Sequence, residues 1–594
     1  MKIRIAAVLL LVAFLVTAML SGCRKQEISF TPTEEALDSQ EGGSKPEESA
    51  PADPTVSIRP GASLAGYFTG GGTGAMVPEG IMIRLSDSGI TVDGQPAPES
   101  ASAVWLSRDI VYYEDKTTYA SGNPYGEGTA AERHSAAEAA EHTVVNITAP
   151  GLYRISGTLS KGQIRVDLGE DAFTDPTAKV TLVLDNADIT CTVAPALLFL
   201  NVYECDNGWS TDTASSEVDT ADAGANVILA QGSKNLVNGS HVAKIFKDAA
   251  GEKKLWKQDA AFYSYMSMNL YAEGDGSGCL DITADNEGLD SELHLTIHGG
   301  NINIRAGNDG INTNEDGVSV TTINGGNLHI IAGLGAEGDG IDSNGWLVIN
   351  GGVVVSSANP AADAGLDSDL GSYVNGGIVL ALGSSMDWAE SDSEQVTMNL
   401  QFGGYKDSGD AIVVTDLQGT VVFAYDPSAD EVLGSNTRTY RGAVISCPNF
   451  AVGDSYAVYI GGELTGSDQG GIFDTASVTG YTGGSRQGYS GTDVAMRPRM
   501  GGFGGFGGGQ RPEGMVPPEG FQGGERPQKG EKPQDGSGVP PQGFGNERFP
   551  EGTPPEGGGM PGGWSGFGTG QNQPENAVFY MQDKVNFFSG VNNL

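Results

Sequence analysis

A short acidic motif recurs four times in the middle of the sequence, and it is the feature best suited to chemistry. Its first two copies are Asn286-Glu287-Gly288-Leu289-Asp290 and Asn308-Asp309-Gly310-Ile311-Asn312, and two more lie at residues 338–342 and 363–367. If successive copies stack, their side chains form a column of oxygen atoms. The residues that we predict to form this column are Asp290, Asp309, Asn312, Asp339, Asp342, Asp363 and Asp367.

The charges around these motifs predict a bound hard cation. Residues 258–405 contain 21 Asp and Glu and a single Lys or Arg, Arg305. Carboxylates stacked closer than a Debye length of about 8 Å repel each other unless a cation lies between them. Calcium takes about six to eight oxygen ligands from carboxylates, amides and carbonyls, so we predict that these seven residues are ligands of Ca²⁺, and the sequence leaves the number of ions open. The alternative is that these Asp and Asn residues only shape turns.

A second repeat keeps step with the acidic motif and indicates the elements that position it. A polar residue followed by two glycines occurs at His298, Asn324, Asn350 and Asn375, with spacings of 26, 26 and 25 residues. A period in the twenties that contains only strands and turns is typical of a parallel β-helix. Leucine-rich repeats are disfavoured because the repeats have no helical segment and no dense Leu framework.

The residues on both sides of the Gly-Gly pair predict how each repeat is built. Leu293, Leu295 and Ile297, followed by Ile302 and Ile304, alternate with polar residues and should point inward. The Gly-Gly pair should form a corner that needs positive φ and close backbone approach. The asparagines at the corners, Asn324, Asn350 and Asn375, should bond to one another from repeat to repeat through their side-chain amides.

We therefore predict an all-β chain built on a right-handed parallel β-helix, a solenoid, with β caps and disordered Gly/Pro-rich segments. The region from Val396 to Tyr459 and the leading segment should cover the open edges of the solenoid. The predicted boundaries are a signal peptide at 1–22, a disordered stalk at 23–60, a leading β segment at 61–140, the β-helix at 141–395, a C-terminal β cap at 396–483, a Gly/Pro-rich segment at 484–574 and a terminal strand at 575–594.

The start of the sequence predicts export and a lipid anchor. Lys2 and Arg4 precede an apolar run that closes on Leu20-Ser21-Gly22-Cys23, the order of a bacterial signal peptide with a lipobox. Cys23 would carry the lipid, which places the mature chain outside the cell, anchored to the bacterial membrane at the cell surface. Outside the cell Cys191, Cys205, Cys279 and Cys447 could form disulfides, and the sequence leaves their pairing open.

The overall charge limits the partners. The chain has 75 Asp and Glu against 33 Lys and Arg, which argues against nucleic acid and against anionic lipid surfaces. Cations are the natural complement of such a surface.

From about Gly151 to Tyr459 the chain resembles a bacterial family of carbohydrate-binding β-helix proteins. The matching stretches are residues 151–159, Pro195-Ala196, the repeated Asp-Gly-Ile-Asp turns and the Asn-Gly-Gly corners. The resemblance implies a fold similar to that of polysaccharide lyases, calcium bound along the helix and affinity for acidic polysaccharide such as polygalacturonate. It covers about half of the chain.

These observations together predict calcium-dependent binding of a uronate-containing polysaccharide, without catalysis. A pectate lyase or a glycoside hydrolase on the same fold is one alternative, and a structural or adhesive surface protein is another. A lyase needs a base near the uronate carboxylate, usually an Arg or a Lys. Within the repeats the only Arg or Lys is Arg305. We therefore predict no catalytic residue. Trp346, Tyr373 and Trp388 could stack on sugar rings, or could equally be buried.

Overall fold

A computed structural model describes residues 58–115, 128–206, 210–246, 254–407, 409–429, 438–492, 574 and 576–594. The side chains of residues 244–257 are not part of this description. The predicted signal peptide, the predicted lipidation site Cys23 and most of the predicted stalk and Gly/Pro-rich segment lie outside it. No helix within the described ranges is long and apolar enough to cross a membrane.

Most of the described strand residues lie in three ladders of predominantly parallel strands. The first ladder contains Val104–Ser107, Thr143–Ile147, Gly162–Val166, Leu197–Phe199, Ala260–Ser264, Glu287–Ser291, Ile311–Thr313 and Ile341–Ser343. The second contains Ile81–Leu85, Gly151–Leu159, Val180–Cys191, Ala225–Leu229, Met268–Ala272, Leu295–Ile297, Val320–Ile323, Trp346–Ile349 and Gly371–Val374. The third contains the second halves of Gly151–Leu159 and Val180–Cys191, and then Lys234–Gly239, Cys279–Ala284, Asn301–Ala306, Asn327–Ile331, Val353–Ser357 and Ile378–Gly383.

From Ala260 to Ser357 the chain passes through the ladders in a fixed order, one strand in each. Glu287–Ser291 is followed by Leu295–Ile297 and Asn301–Ala306, and the next repeat begins at Ile311–Thr313 in the first ladder again. The described helices are one short α-helix at Ala136–Ala139 and the 3₁₀ turns Ala65–Tyr67, Glu170–Thr174, Pro427–Ala429 and Thr475–Ser477. The prediction of an all-β chain is confirmed.

The side chains predicted to point inward form the core between the ladders. Leu293, Leu295, Ile297, Ile302 and Ile304 are all fully buried. The alternating pattern places every second residue of a strand in this core, since successive side chains in a strand point to opposite faces. The residues between them are therefore available for contacts outside the core.

The predicted asparagine column is also confirmed. The side-chain Nδ2 of Asn350 donates to Oδ1 of Asn324 at 3.0 Å, and Nδ2 of Asn375 donates to Oδ1 of Asn350 at 3.1 Å. The second glycine of each corner has positive φ, for example +81° at Gly352, where a Cβ would lie 2.4 Å from the carbonyl oxygen of Gly326. Only glycine fits this corner without strain.

Other strands cover the edges of the ladders. At the start, Val104–Ser107 pairs antiparallel with Thr143–Ile147, and the short strands Thr91–Val92 and Gln95–Pro96 extend Ile81–Leu85. At the end of the third ladder, Thr439–Ser446 pairs antiparallel with Ile378–Gly383. Paired edges no longer offer open hydrogen-bonding groups to other chains.

The remaining strands lie mainly beyond the last repeat and pack on a second apolar cluster, which includes Val355 and Leu380 on the outer side of the third ladder. They are Thr397–Asp407, Ile412–Asp416, Val421–Tyr425, Ser455–Ile460, Glu463–Thr465, Asp468–Gln469, Ile472–Phe473, Gly480–Thr482, Ser485–Gly488, Phe579–Tyr580 and Val585–Asn593, with a separate hairpin of Val242–Phe246 and Lys254–Gln258 earlier in the chain. Val585–Asn593 pairs in parallel with Thr397–Asp407.

Residues 58–80, here called the N-terminal strap, run along the Gly-Gly corners in the direction opposite to the repeats. The amide of Arg59 donates to the carbonyl of Gly419 at 2.7 Å, among the C-terminal strands. Further along, Asn327 Nδ2 donates to the carbonyl of Phe68, and the amide of Thr73 donates to the carbonyl of Ala272. The strap thus connects the C-terminal strands with the first strand of the second ladder.

Candidate functional site

The predicted column forms on the outer side of the first ladder. Asp290 pairs in register with Asn312, and Asn312 pairs with Asp342. Asp367 takes the next position, because its amide donates to the carbonyl of Ile341 at 2.8 Å. The residues just before them, such as Leu289 and Ile311, are fully buried in the core, so the column faces the other way.

Asp309 and Asp339 lie in the turns that lead into these strands, and there they bond to the next repeat. Oδ1 of Asp309 accepts the amide of Asp339 at 2.7 Å, and Oδ1 of Asp339 accepts the amide of Ala364 at 2.6 Å. Asp363 accepts the amide of Gly338 at 2.9 Å. These carboxylates do shape turns, as the alternative interpretation expected. Each has a second oxygen that the turn does not require.

Crowding of like charge perturbs these carboxyls. Burial, together with the charges of Asp342 and Asp339, raises the pKa of Asp309 well above its usual range. Burial and the charges of Asp367 and Asp342 do the same to the pKa of Asp339. Within the described residues neither Asp309 nor Asp339 forms an ion pair with a Lys, Arg or His. The charged forms therefore lack local compensation from this chain.

A further carboxyl, Asp387, extends the column beyond the predicted residues. Burial and the charge of Asp367 raise the pKa of Asp387 to about 7, although hydrogen bonds from the hydroxyls of Ser368 and Ser372 act in the opposite direction. The acidic column, as the term is used below, consists of Asp290, Asp309, Asn312, Asp339, Asp342, Asp363, Asp367 and Asp387.

The strongest candidate for a metal centre lies at the start of this column. Carboxylate oxygens of Asp259, Glu287 and Asp290 lie within 4.8 Å of one another, and we call these residues the carboxylate triad. Two oxygens bound to one calcium ion at roughly 2.5 Å are separated by at most about 5 Å. The spacing of the triad therefore suits a single hard cation.

Asn312 lies beside the carboxylate triad. Its side-chain Nδ2 donates to Oε1 of Glu287 at 3.2 Å, which holds the amide beside the triad. Its Oδ1 is buried and accepts no hydrogen bond among the described residues, and the residue is only 6% exposed. A buried amide oxygen without a donor is destabilising, and a cation would satisfy it. Three carboxylates and one amide oxygen form a donor set that hard cations prefer.

Two members of the triad were not predicted from the sequence. Glu287 occupies the position of Asp309 in the first copy of the motif, so the repeat itself contained that signal. Asp259 precedes the strand Ala260–Ser264 and belongs to no copy of the motif, and only the structure brings it to Glu287 and Asp290.

A partly buried histidine, His241, lies near the triad and was also missed. His241 Nδ1 is 3.0 Å from Oδ1 of Asp285, and its Nε2 is 3.3 Å from Oε1 of Glu132. Burial alone would lower the pKa of His241, but these two hydrogen bonds and the charges of Asp285 and Asp259 raise it to about 10. The imidazolium of His241 partly offsets the negative charge of Asp259. The other carboxyls of the acidic column, from Asp309 onward, belong to later repeats.

The other predicted features divide between outer and buried positions. Arg305 lies half-buried on the strand Asn301–Ala306 of the third ladder. Trp346 and Tyr373 are half-buried on the second ladder, and Trp388 packs edge-on against Phe587 at 5.0 Å. The four described cysteines are free thiols, and Cys191 and Cys447 are buried.

The fold and the site define an all-β protein with stacked carboxylates, and comparisons with known proteins add a family. Residues 141–425 match the model of a family described as "Carbohydrate-binding domain-containing protein". A protein of Acetivibrio thermocellus with the same description is 27% identical over 227 residues, which are 38% of this chain and 63% of the relative. The chain thus spans less than two thirds of that relative. No solved structure matches the chain.

Residues 141–425 are therefore similar to a family of carbohydrate-binding domains. The resemblance predicted from the sequence is confirmed at this level. The matched residues include the carboxylate triad and the rest of the acidic column.

Proposed function

We propose that this protein binds acidic, uronate-containing polysaccharide through calcium ions held along the acidic column. The observation that carries the proposal is the in-register stack of Asp290, Asn312 and Asp342, which begins at the carboxylate triad. We further infer that the three ladders are the faces of a right-handed parallel β-helix. In that fold one ligand position per repeat forms a straight row, which suits a linear polymer.

The residues of the first calcium site would be Asp259, Glu287, Asp290 and Asn312. Four protein oxygens leave part of the shell of a calcium ion open, since that shell takes about six to eight. A bound ion would offer these open positions to carboxylates of the polymer. The chain itself holds the ion in place and sets the distance from one site to the next.

Repetition along the column would supply much of the affinity. When one uronate is bound, the next uronate of the same polymer is held close to the next site, and its effective concentration is high. The column continues through Asp309, Asp339 and Asp342 to Asp367 and Asp387. The raised pKa values of Asp309, Asp339 and Asp387 support this part of the proposal, because burial and then the neighbouring carboxylates disfavour the charged forms, and a cation would offset both effects.

The proposal includes the cellular location of the protein. A lipid on Cys23 would hold the protein at the outer surface of a bacterial membrane, where it would meet extracellular polysaccharide.

The test uses the full-length chain and polygalacturonate, first in calcium and then in excess chelator. We expect the protein to co-sediment with the polymer in calcium and to remain in the supernatant in chelator. Carboxyl-reduced polymer, which has the same backbone without carboxylates, is the matched control and should not co-sediment in either buffer.

The same samples test the enzymatic alternative. A lyase would release unsaturated uronate and raise the ultraviolet absorbance steadily, and we expect no rise. Equal co-sedimentation with and without chelator would rule out the calcium-bridged mechanism.

A further inference from the structure

A cleft near the start of the first ladder lies outside the acidic column, and most of the residues that line it precede the range that matches the family model. Its volume is about 790 Å³, within the range of small-molecule sites, which is roughly 300 to 1,000 Å³. One wall is the edge strand Val104–Ser107, which continues to Arg108. The opposite walls are the turns at residues 86–90 and 159–161, and Glu141 lies between them.

Trp105 lines this cleft and is not part of the apolar core. Its side chain is half-buried, and it belongs to none of the apolar clusters of the fold. Within the described part of the chain its indole makes no hydrogen bond and no ring contact. Its strand neighbour Leu106, in contrast, packs against the main core. A partly exposed indole face is a surface on which the C–H groups of a sugar ring pack well.

Arg108 lies at the end of the same strand and is exposed. Nη1 of Arg108 donates to the backbone carbonyl of Glu141 at 3.0 Å, which fixes the direction of the side chain. A guanidinium has five N–H donors in a planar fork, so most of them remain for a ligand. Arg108 forms no ion pair with any Asp or Glu of the described chain.

Three acidic residues line the cleft: Glu99 is exposed, and the other two are held by other groups. The carboxylate of Glu141 is paired with the ammonium of Lys161. Asp87 accepts the amide of Ser160 at 2.8 Å, and this bond lowers the pKa of Asp87. The cleft thus contains two cationic side chains, Arg108 and Lys161, beside three carboxylates, and of the two cations Lys161 is paired with Glu141 while Arg108 is not paired with a carboxylate of the described chain.

We propose that this cleft is a second saccharide subsite, which takes one anionic sugar residue directly, without calcium. Trp105 stacks on the ring, and the guanidinium of Arg108 binds the carboxylate through two parallel hydrogen bonds, the geometry in which arginine and carboxylate pair best. The inference rests on the proposed function for the choice of a uronate as the sugar. It assigns the cleft a role that the acidic column cannot have, because that column repels anions unless cations are bound.

The experiment measures binding of trigalacturonate to the full-length chain by calorimetry in excess chelator, where the acidic column is silent. The carboxyl-reduced trimer is the matched ligand. We expect wild type to bind the acidic trimer at least tenfold more tightly than the reduced one. Arg108→Gln should remove this preference, and Trp105→Ala should weaken both trimers.

Arg84→Gln is the matched control, since Arg84 is an exposed arginine on Ile81–Leu85 that does not line the cleft. It should leave both affinities unchanged. Thermal unfolding of each variant checks that the fold is intact, and Arg108→Gln removes only an exposed side chain if Trp105→Ala proves unstable.

Two results would overturn the inference: no binding of the acidic trimer by wild type in chelator, or equal binding by wild type and Arg108→Gln. Neither result bears on the calcium-bridged mechanism. That mechanism is read from co-sedimentation of the long polymer in calcium, which Arg108→Gln should retain.

Discussion

Two columns run through the same repeats, and they respond to stacking in opposite ways. The asparagine column of Asn324, Asn350 and Asn375 bonds to itself, because each amide has both a donor and an acceptor. The acidic column runs through the same repeats, but an ionised carboxylate only accepts, so no two carboxylates bond to each other, and burial together with the neighbouring charges raises the pKa of Asp309 and Asp339. The same geometry thus gives a structural element in one place and a candidate binding site in the other.

The largest difference between the two columns should appear in the pH dependence of the free energy of unfolding, measured in excess chelator. Below pH 3.8 Asp387 is protonated in both the folded and the unfolded chain. Between 3.8 and about 7 the unfolded chain loses this proton while the folded chain keeps it, so the free energy of unfolding falls with rising pH, by up to roughly 4 kcal/mol. The asparagine column does not titrate and should contribute nothing to this change.

Urea unfolding of wild type and Asp387→Asn at several pH values measures the effect. Asparagine keeps an oxygen for the hydroxyls of Ser368 and Ser372, so the variant should show a flatter profile. Identical profiles for the two proteins would show that Asp387 is not perturbed.

Removing one carboxylate from the middle of the acidic column should have the next largest effect. Asp342→Ala should weaken calcium and polygalacturonate binding together, each by roughly tenfold, or about 1.4 kcal/mol. Calorimetry with calcium alone and co-sedimentation with polymer measure the two affinities. Asp171→Ala, at an exposed position outside the column, is the control. A loss of polymer binding without a loss of calcium affinity would contradict the bridging mechanism.

Placing an aspartate in the asparagine column should lower the free energy of unfolding by about 1 kcal/mol. In the native chain Nδ2 of Asn350 donates to Oδ1 of Asn324 at 3.0 Å. Asn350→Asp removes this donor and puts a carboxylate oxygen beside Oδ1 of Asn324. The urea midpoint should fall at pH 7 and recover in part at pH 3, where the aspartate is protonated. Asn350→Ala should show the same fall at both pH values. A pH-independent effect of Asn350→Asp would mean that the column tolerates charge.

The smallest effect is expected at Arg305. Arg305→Ala should change polymer binding by less than twofold, because calcium and not arginine neutralises the polymer in the proposed mechanism. Co-sedimentation in calcium measures it. A loss of binding comparable with that of Asp342→Ala would return attention to this residue and to the lyase alternative.

The repeated parts of the molecule could be predicted from the sequence, because their contacts are set by residues close together in one repeat and by the same residues in the next. The Gly-Gly corners, the inward Leu and Ile and the asparagine bonds all follow from a short pattern that stacks on a copy of itself. The register of Asp290, Asn312 and Asp342 follows from the same pattern.

The parts of the candidate sites that do not repeat could not be predicted. Asp259, His241 and Asp387 come to the acidic column from segments outside the motif, and their positions depend on long-range packing. Trp105 and Arg108 lie in the leading segment, where no period relates one residue to another. The pairing of Glu287 with Asp259 is likewise a contact that only the folded chain defines.

The N-terminal strap has a mechanical consequence. If the protein is held by residues that precede Ile58, tension enters at Arg59, whose amide and carbonyl bond to Gly419 and Val421, and so it first loads the C-terminal strands. The strap would then detach one bond at a time toward Val77, before any strand of the ladders carries force. Pulling on single molecules from residue 58 should therefore show small early extensions ahead of the main unfolding event, so a polymer-bound protein under shear would yield first in a part that binds no ligand.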